Sequence, residues 1–194
     1  SSGFSGFGVG IYNPNPTTVT HTTVDTNPLC NGSSDGSIVV SASGGTPAYQ
    51  YSIDGGTTFQ SSSSFSNLPS GTYTVIVEDA AGNQSNSSSV ILQDPALLTV
   101  TFNSSDPSCN GDADGTIAIT ANGGTPTYQY SIDGGATFQS NSAFSNLIAG
   151  NYAIVVQDNN GCQATSSSNL NEPTTISYSA TSIDENCSAA DGTL

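Results

Sequence analysis

The stretch "CNGSSDGSIVVSASGGTPAYQYSIDGGTTFQSSSSFSNLPSGTYTVIVEDAAG", residues 30–82, returns as "CNGDADGTIAITANGGTPTYQYSIDGGATFQSNSAFSNLIAGNYAIVVQDNNG", residues 109–161. A third copy opens at Cys187 with "CSAADGTL". Self-similarity at a fixed period means stacked copies of one folding unit. The period of 79 residues, Cys30 to Cys109, is longer than a solenoid repeat and suits an independent domain of modest core. The expected organisation is an N-terminal extension over 1–15, a first repeat over 16–94, a second over 95–172 and the start of a third over 173–194. Asp191-Gly192-Thr193-Leu194 matches Asp114-Gly115-Thr116-Ile117, where a strand is just beginning, so the sequence reads as a window of a longer array.

Each copy opens at an X-Pro joint: Asn15-Pro16, Asp94-Pro95 and Glu172-Pro173. Proline fixes its own φ and holds the preceding residue extended, so these joints are short and stiff. A first strand follows, carrying Val19, His21 and Thr23, or Leu98, Val100 and Phe102. A polar loop with the Cys then ends in Asp-Gly, read as a turn ahead of the next strand. That strand alternates: Ile38, Val40 and Ala42 match Ile117, Ile119 and Ala121 on one face, as in a strand buried on one side. Tyr49, Tyr51 and Ile53 are expected inside, with Gln50 and Ser52 facing away. Asp54-Gly55-Gly56 reads as a hairpin turn, because glycine tolerates positive φ. Leu68-x-x-Gly71-x-Tyr73-x-Val75, paralleled by Leu147, Gly150, Tyr152 and Ile154, resembles the tyrosine corner of immunoglobulin-like sandwiches. The expected fold is all-β: tandem Ig-like antiparallel sandwiches in a rod, about seven strands each. Ile38, Val40, Tyr73, Val75 and Val77 should be inside, with Ile117, Ile119, Tyr152, Ile154 and Val156.

The succession C-N-G-x-x-D-G, G-G-T-P-x-Y-x-Y-S-I-D-G-G, F-S-N-L-x-x-G-x-Y and V-x-D-x-x-G resembles the SprB repeat over about residues 16–194. The resemblance implies an extracellular, cell-surface segment of a very large adhesin or fibre. Its partners would be other copies of the same chain, head to tail or as neighbours in an array, and surface glycans.

Composition excludes several classes. With no Lys or Arg and 15 Asp plus Glu, the formal charge is −15. Nucleic-acid binding by phosphate neutralisation has no cation to work with. Anionic membranes repel such a surface, and no apolar run approaches the ~18–20 residues that span a bilayer. Phosphoryl and Schiff-base chemistry lack their cationic groups as well. The single histidine, His21, has no nucleophile motif near it, and the second copy has Val100 in its place. No enzyme is expected. A carbohydrate-binding module would expose aromatic residues, whereas Tyr49, Tyr51, Tyr128 and Tyr130 read as core.

Four kinds of site are nevertheless legible. Phe7, Val9 and Ile11 alternate with glycines, as in a strand donated to a neighbour's open sheet; that reading makes the chain a subunit of a self-assembling filament. The same residues also read as the last strand of a preceding repeat. Asp106, Asp112, Asp114 and Glu172 are candidates for Ca²⁺ held at a joint, and the sequence suggests no other cofactor. Asn31, Asn83, Asn86, Asn103 and Asn186 head Asn-x-Ser sequons, which read as glycosylation sites on an exported protein. Finally, four cysteines allow three pairings. Repeat symmetry suggests Cys109 with Cys162, which orphans Cys30, since Asn83 stands at the matching position of the first copy. In a seven-strand up-and-down count, the loop after the first strand lies at the far end of its domain and the loop before the last strand at the near end. That places Cys30 opposite Cys162 across the Asp94-Pro95 joint, the pairing preferred here.

Overall fold

The computed structural model describes residues 18–181. Phe7, Val9, Ile11, Asn186 and Cys187, and most of the third copy, lie outside the described residues. Within them the chain is all-β, with no helix among the described residues.

The first copy forms β1 (Thr20–Thr26), β2 (Gly36–Ser43), β3 (Gln50–Ser52), β4 (Ser64–Leu68), β5 (Gly71–Glu78) and β6 (Ser88–Leu92). The second forms β7 (Thr99–Ser105), β8 (Gly115–Asn122), β9 (Gln129–Ser131), β10 (Ala143–Leu147), β11 (Gly150–Gln157) and β12 (Gln163–Leu170). Their sheet orders are β1-β2-β4 with β3-β5-β6, and β7-β8-β10 with β9-β11-β12. β3 leaves its sequence neighbours to join the opposite sheet, which is the strand-switching order of an immunoglobulin-type sandwich. Six strands are named per copy, against the seven or so expected. The chain around Phe59 and Phe138 makes only single antiparallel bridges, Tyr51 to Gln60 and Tyr130 to Gln139, so no further strand extends there.

The chain divides into two compact units. One gathers residues 18–100 with Ala121–Tyr128 and Val156–Ala164; the other gathers Thr101–Thr120, Gln129–Val155 and 165–181.

Alternation decides what is buried. β1 pairs with β2 from Thr20↔Ser43 to Thr26↔Ser37. β2 turns Ile38 and Val40 inward, and β5 does the same with Val75 and Val77. With Val19, Val90 and Leu92 they make one buried cluster. The second copy buries Leu98, Ile117, Ile119, Ile154, Val156 and Leu170 in the same pattern. Tyr73 and Tyr152 are half-buried rather than inside. Their hydroxyls donate to the carbonyls of Pro69 and Ile148, both at 2.8 Å, so each ring spans the β4–β5 or β10–β11 corner with its polar tip at the rim. This is the tyrosine corner, and its hydrogen bond keeps the ring from going deeper.

Ser52 and Ser131 correct the expected alternation, for each is 1% exposed. The Ser52 hydroxyl donates to Asp54 and accepts from the amides of Asp54 and Gly56, so it holds the following turn from inside. Burial is tolerable because every polar valence is used. The Ser runs also do more than fill loops. Ser88 and Ser89 lie in β6, and Ser166–Ser168 lie in β12. The first copy carries one more residue here than the second, at Asn86-Ser87, and its last strand starts only at Ser88. Without that residue, β12 runs unbroken from Gln163 with its alternation intact.

Candidate functional site

The most organised polar region is the cysteine loop and the proline joint it grips. In the first copy Asp35 closes the loop, accepting from the Leu29 amide at 3.1 Å and from the Ser33 hydroxyl. These donors hold the Asp35 carboxyl below its ordinary range, the Ser33 hydroxyl first and the Leu29 amide next. The Ser33 amide donates to the Cys30 carbonyl, completing a tight turn. The loop then reaches its own joint: the Asn31 amide group donates to Pro95 O at 3.0 Å, and the Gly32 amide donates to Asp94 Oδ2 at 3.1 Å. The second copy repeats the set. Ser108 donates twice to Asp114, Asn110 donates to Pro173 O, and Gly111 donates to Glu172. The C-N-G motif and the acidic-Pro joint are therefore two halves of one clamp.

Gly36 and Gly115 need a different explanation from the turn expected of Asp-Gly. Each begins a core strand, is buried and has no room for a Cβ. At Gly36 that atom would lie 2.8 Å from Leu68 O, 3.0 Å from Leu92 Cδ1 and 3.2 Å from Thr26 O. Close approach of two flanking backbones, rather than positive φ, requires the glycine.

The bridge is Cys30–Cys162, with the Cα atoms 5.6 Å apart and a sequence separation of 132. The alternative, Cys109–Cys162, is not formed: Cys109 is a free, exposed thiol. Cys162 arrives on a loop built by Asp158, which is 5% exposed and accepts from the amides of Thr125, Asn160 and Cys162. The same loop sends the Asn160 side-chain amide to Leu29 O at 3.1 Å, beside Cys30. The Ala96 carbonyl of the joint accepts from the Gly124 amide at 2.7 Å. Loop, joint and disulfide thus form one contiguous set within one compact unit.

The calcium candidates are not brought together. Among the described residues no group of three or more His, Cys, Asp or Glu side chains converges. Asp106 accepts from Asn171, Asp114 from Ser108 and Glu172 from Gly111, so each carboxylate already serves a backbone amide. Two sequons are also committed elsewhere, since the side-chain nitrogen of Asn31 holds Pro95 and that of Asn83 holds Asp79. Asn86 and Asn103 are exposed.

His21 makes no triad. Its Nδ1 pairs with Ser85 Oγ at 2.9 Å and its Nε2 with Ser88 Oγ at 2.6 Å, so both ring nitrogens meet hydroxyls. Desolvation lowers its pKa, favouring the neutral ring. No carboxylate is among its hydrogen-bond partners, and a carboxylate is what orients and charges the imidazole of a hydrolase. In the second copy both His21 and Ser85 are replaced, by Val100 and Ala164, a polar pair exchanged for an apolar one. Tyr49 and Tyr128 are half-buried, and their hydroxyls donate to Gly44 O and Gly123 O.

Fold and clamp together define a tandem of immunoglobulin-type sandwiches with a disulfide-sealed joint. Two stretches of the chain, residues 22–58 and 101–137, match the SprB repeat family. No curated protein sequence matches the chain. Similar solved structures include three N-terminal domains of the bacteriophage RB49 outer capsid protein Hoc, at 15% identity and TM-score 0.41, covering 79% of this chain and 58% of that one. Four N-terminal Ig domains of Dscam1 isoform 6.44 align at 17% identity and TM-score 0.33, over 81% of this chain and 46% of that one. The fibronectin(III)-like modules of Clostridium thermocellum CbhA align at 15% identity and TM-score 0.32, over 75% and 91%. The chain spans little more than half of the Hoc fragment and less than half of the Dscam1 fragment. No helix among the described residues is long and apolar enough to cross a membrane.

Proposed function

We propose that this chain is a non-catalytic, load-bearing segment of an extracellular adhesin or surface fibre. The Cys30–Cys162 bridge carries this reading. Tension entering through β1 reaches Cys30, crosses the S–S bond to Cys162 and leaves through β12. The chain between the two cysteines is bypassed, including β2 to β6 and β7 to β11. With a separation of 132 residues, that is roughly 460 Å of extended chain withheld from the load. A disulfide also persists in the oxidising compartments outside the cell. The absence of Lys and Arg and the pairing of both His21 ring nitrogens with serine hydroxyls support a structural rather than a catalytic role.

The partners that fit this reading are further repeats of the same kind, with surface glycans at whatever binding tip the array carries. A filament joined by strand donation is the alternative, and it depends on Phe7, Val9 and Ile11.

Single-molecule pulling tests the load-bearing reading. Oxidised chain should extend by roughly 460 Å less at full unfolding than chain treated with a reductant. Equal contour lengths in both conditions would refute it.

A further inference from the structure

Cys109 lies in a cleft of about 360 Å³, lined by Ser108, Asn110, Pro173, Thr175 and Ile176 among others. The corresponding place in the first copy is filled. There Leu29 O, the counterpart of Ser108 O, accepts from Asn160, and Ala96 O, the counterpart of Thr174 O, accepts from Gly124. Cys30, the counterpart of Cys109, is bonded to Cys162. Leu98 is 7% exposed, whereas its counterpart Ile176 is 99% exposed and Tyr178 two residues on is 90% exposed. The receiving half of the clamp is otherwise the same in both copies: Asn110 holds Pro173 O as Asn31 holds Pro95 O.

We infer that the Cys109 cleft is the docking site for a further SprB repeat continuing after Pro173. That repeat would seat a Gly-Gly-Thr loop on the Thr174 carbonyl and an Asp-x-x-Gly-Cys loop on Ser108, and would bond its cysteine to Cys109. The occupant is specified by the first copy, where the Gly124 and Asn160–Cys162 loops hold these positions. The inference rests on reading the chain as an array of repeats. It adds which surface couples one joint to the next. In the bond-forming step two thiols lose two protons and two electrons. A small-molecule disulfide takes them up and leaves as two thiols.

The test appends a second copy of residues 96–172 directly after Pro173, with its own Cys109 equivalent changed to Ser, so that the added repeat supplies a single cysteine, the equivalent of Cys162. The chain is oxidised with glutathione disulfide and mapped by proteolysis and mass spectrometry. The expected result is a bridge from Cys109 to the appended Cys162 equivalent, beside the resident Cys30–Cys162 bridge, which reports correct folding in the same molecule. A resident bridge with Cys109 still alkylatable overturns the inference. So does Cys109 bonded to a second molecule while the appended cysteine stays free, because the partner is then another copy.

A second measurement separates docking from bonding. With the appended cysteine changed to Ser, iodoacetamide should alkylate Cys109 at least ten-fold more slowly than in the unextended chain. An unchanged rate would show that nothing docks there. Either failure leaves the pulling experiment, which concerns Cys30–Cys162 alone, unaffected.

Discussion

The side-chain amide of Asn31 donates to the carbonyl of Pro95 at 3.0 Å across 64 residues of sequence, and Asn110 repeats the bond on Pro173 at 3.0 Å. Each sandwich therefore holds the start of the chain that leaves it. The neighbouring Gly32 amide adds a charge-assisted bond to Asp94, and Gly111 does the same with Glu172. Two bonds from one loop thus tie each X-Pro joint to the sandwich that precedes it.

If the clamp supports the disulfide, Asn31→Ala should make it easier to open. One neutral hydrogen bond is worth about 1 kcal/mol, equivalent to a factor of about five in the local opening equilibrium. Reduction of Cys30–Cys162 by dithiothreitol should accelerate about five-fold, with the far-ultraviolet circular dichroism unchanged. An unaltered reduction rate would mean that Asn31 merely caps its own loop.

His21 should give the first sandwich a pH dependence near neutrality that Val100 cannot give the second. Burial lowers its folded pKa below the ordinary 6.5. As the pH falls the unfolded chain takes the proton first, and protonation then favours unfolding. The stability from the neutral ring is complete above about 6.5 and is lost as the pH drops from there through the folded value. Melting of the first repeat should therefore decline between pH 7.5 and 5.5. The double variant His21→Val with Ser85→Ala, which installs the pair found at Val100 and Ala164, should abolish that decline. A wild-type melting temperature flat across this range would dispose of the idea.

The strands and their inward faces were readable because Ile38-x-Val40 and Val75-x-Val77 recur 79 residues later with the same spacing, and period two admits one burial pattern. Cys30–Cys162 was readable from loop position, whereas repeat symmetry alone pointed to Cys109. Other features left no periodic signal. Ser52 is buried by the turn it ties, a local hydrogen-bond demand that overrides alternation. The clamp from Asn31 to Pro95 joins two motifs far apart in sequence, so neither predicts the other. The carboxylates Asp106, Asp114 and Glu172 resembled metal ligands because backbone amides and cations call for the same oxygen donors.

Gly36 is a sharp test of the close-approach argument. A Cβ there would press on Leu68 O at 2.8 Å and Thr26 O at 3.2 Å, backbone atoms of the two flanking strands. Neither strand yields without breaking its register with β2. Gly36→Ala should cost about 1–3 kcal/mol, the usual range for overpacking. Gly82→Ala, where nothing lies within 4 Å but φ is +82°, should cost less than this, through backbone strain alone. Denaturant titration of both variants decides it; equal losses would show that space at Gly36 is not limiting.

Acid should unfold the sandwiches through their turn carboxylates. Asp54 is held at about 2 by the Thr58 hydroxyl first, then by the Thr58 amide and the Ser52 hydroxyl. Asp79 is likewise held at about 2, by the Asn83 side chain and then the Thr46 amide. Both values lie below the ordinary 3.8, so the folded state binds these protons less readily than the unfolded chain. The stability they contribute is complete above about pH 4 and disappears as the pH falls through about 2. Asp54→Asn keeps one acceptor oxygen but replaces the other with a donor, which cannot accept from Thr58 Oγ1. The variant should be less stable than wild type at pH 6, and the gap should close as the pH approaches 2. A difference that persists undiminished at pH 2 would show that the carboxylate's charge plays no part in holding the turn.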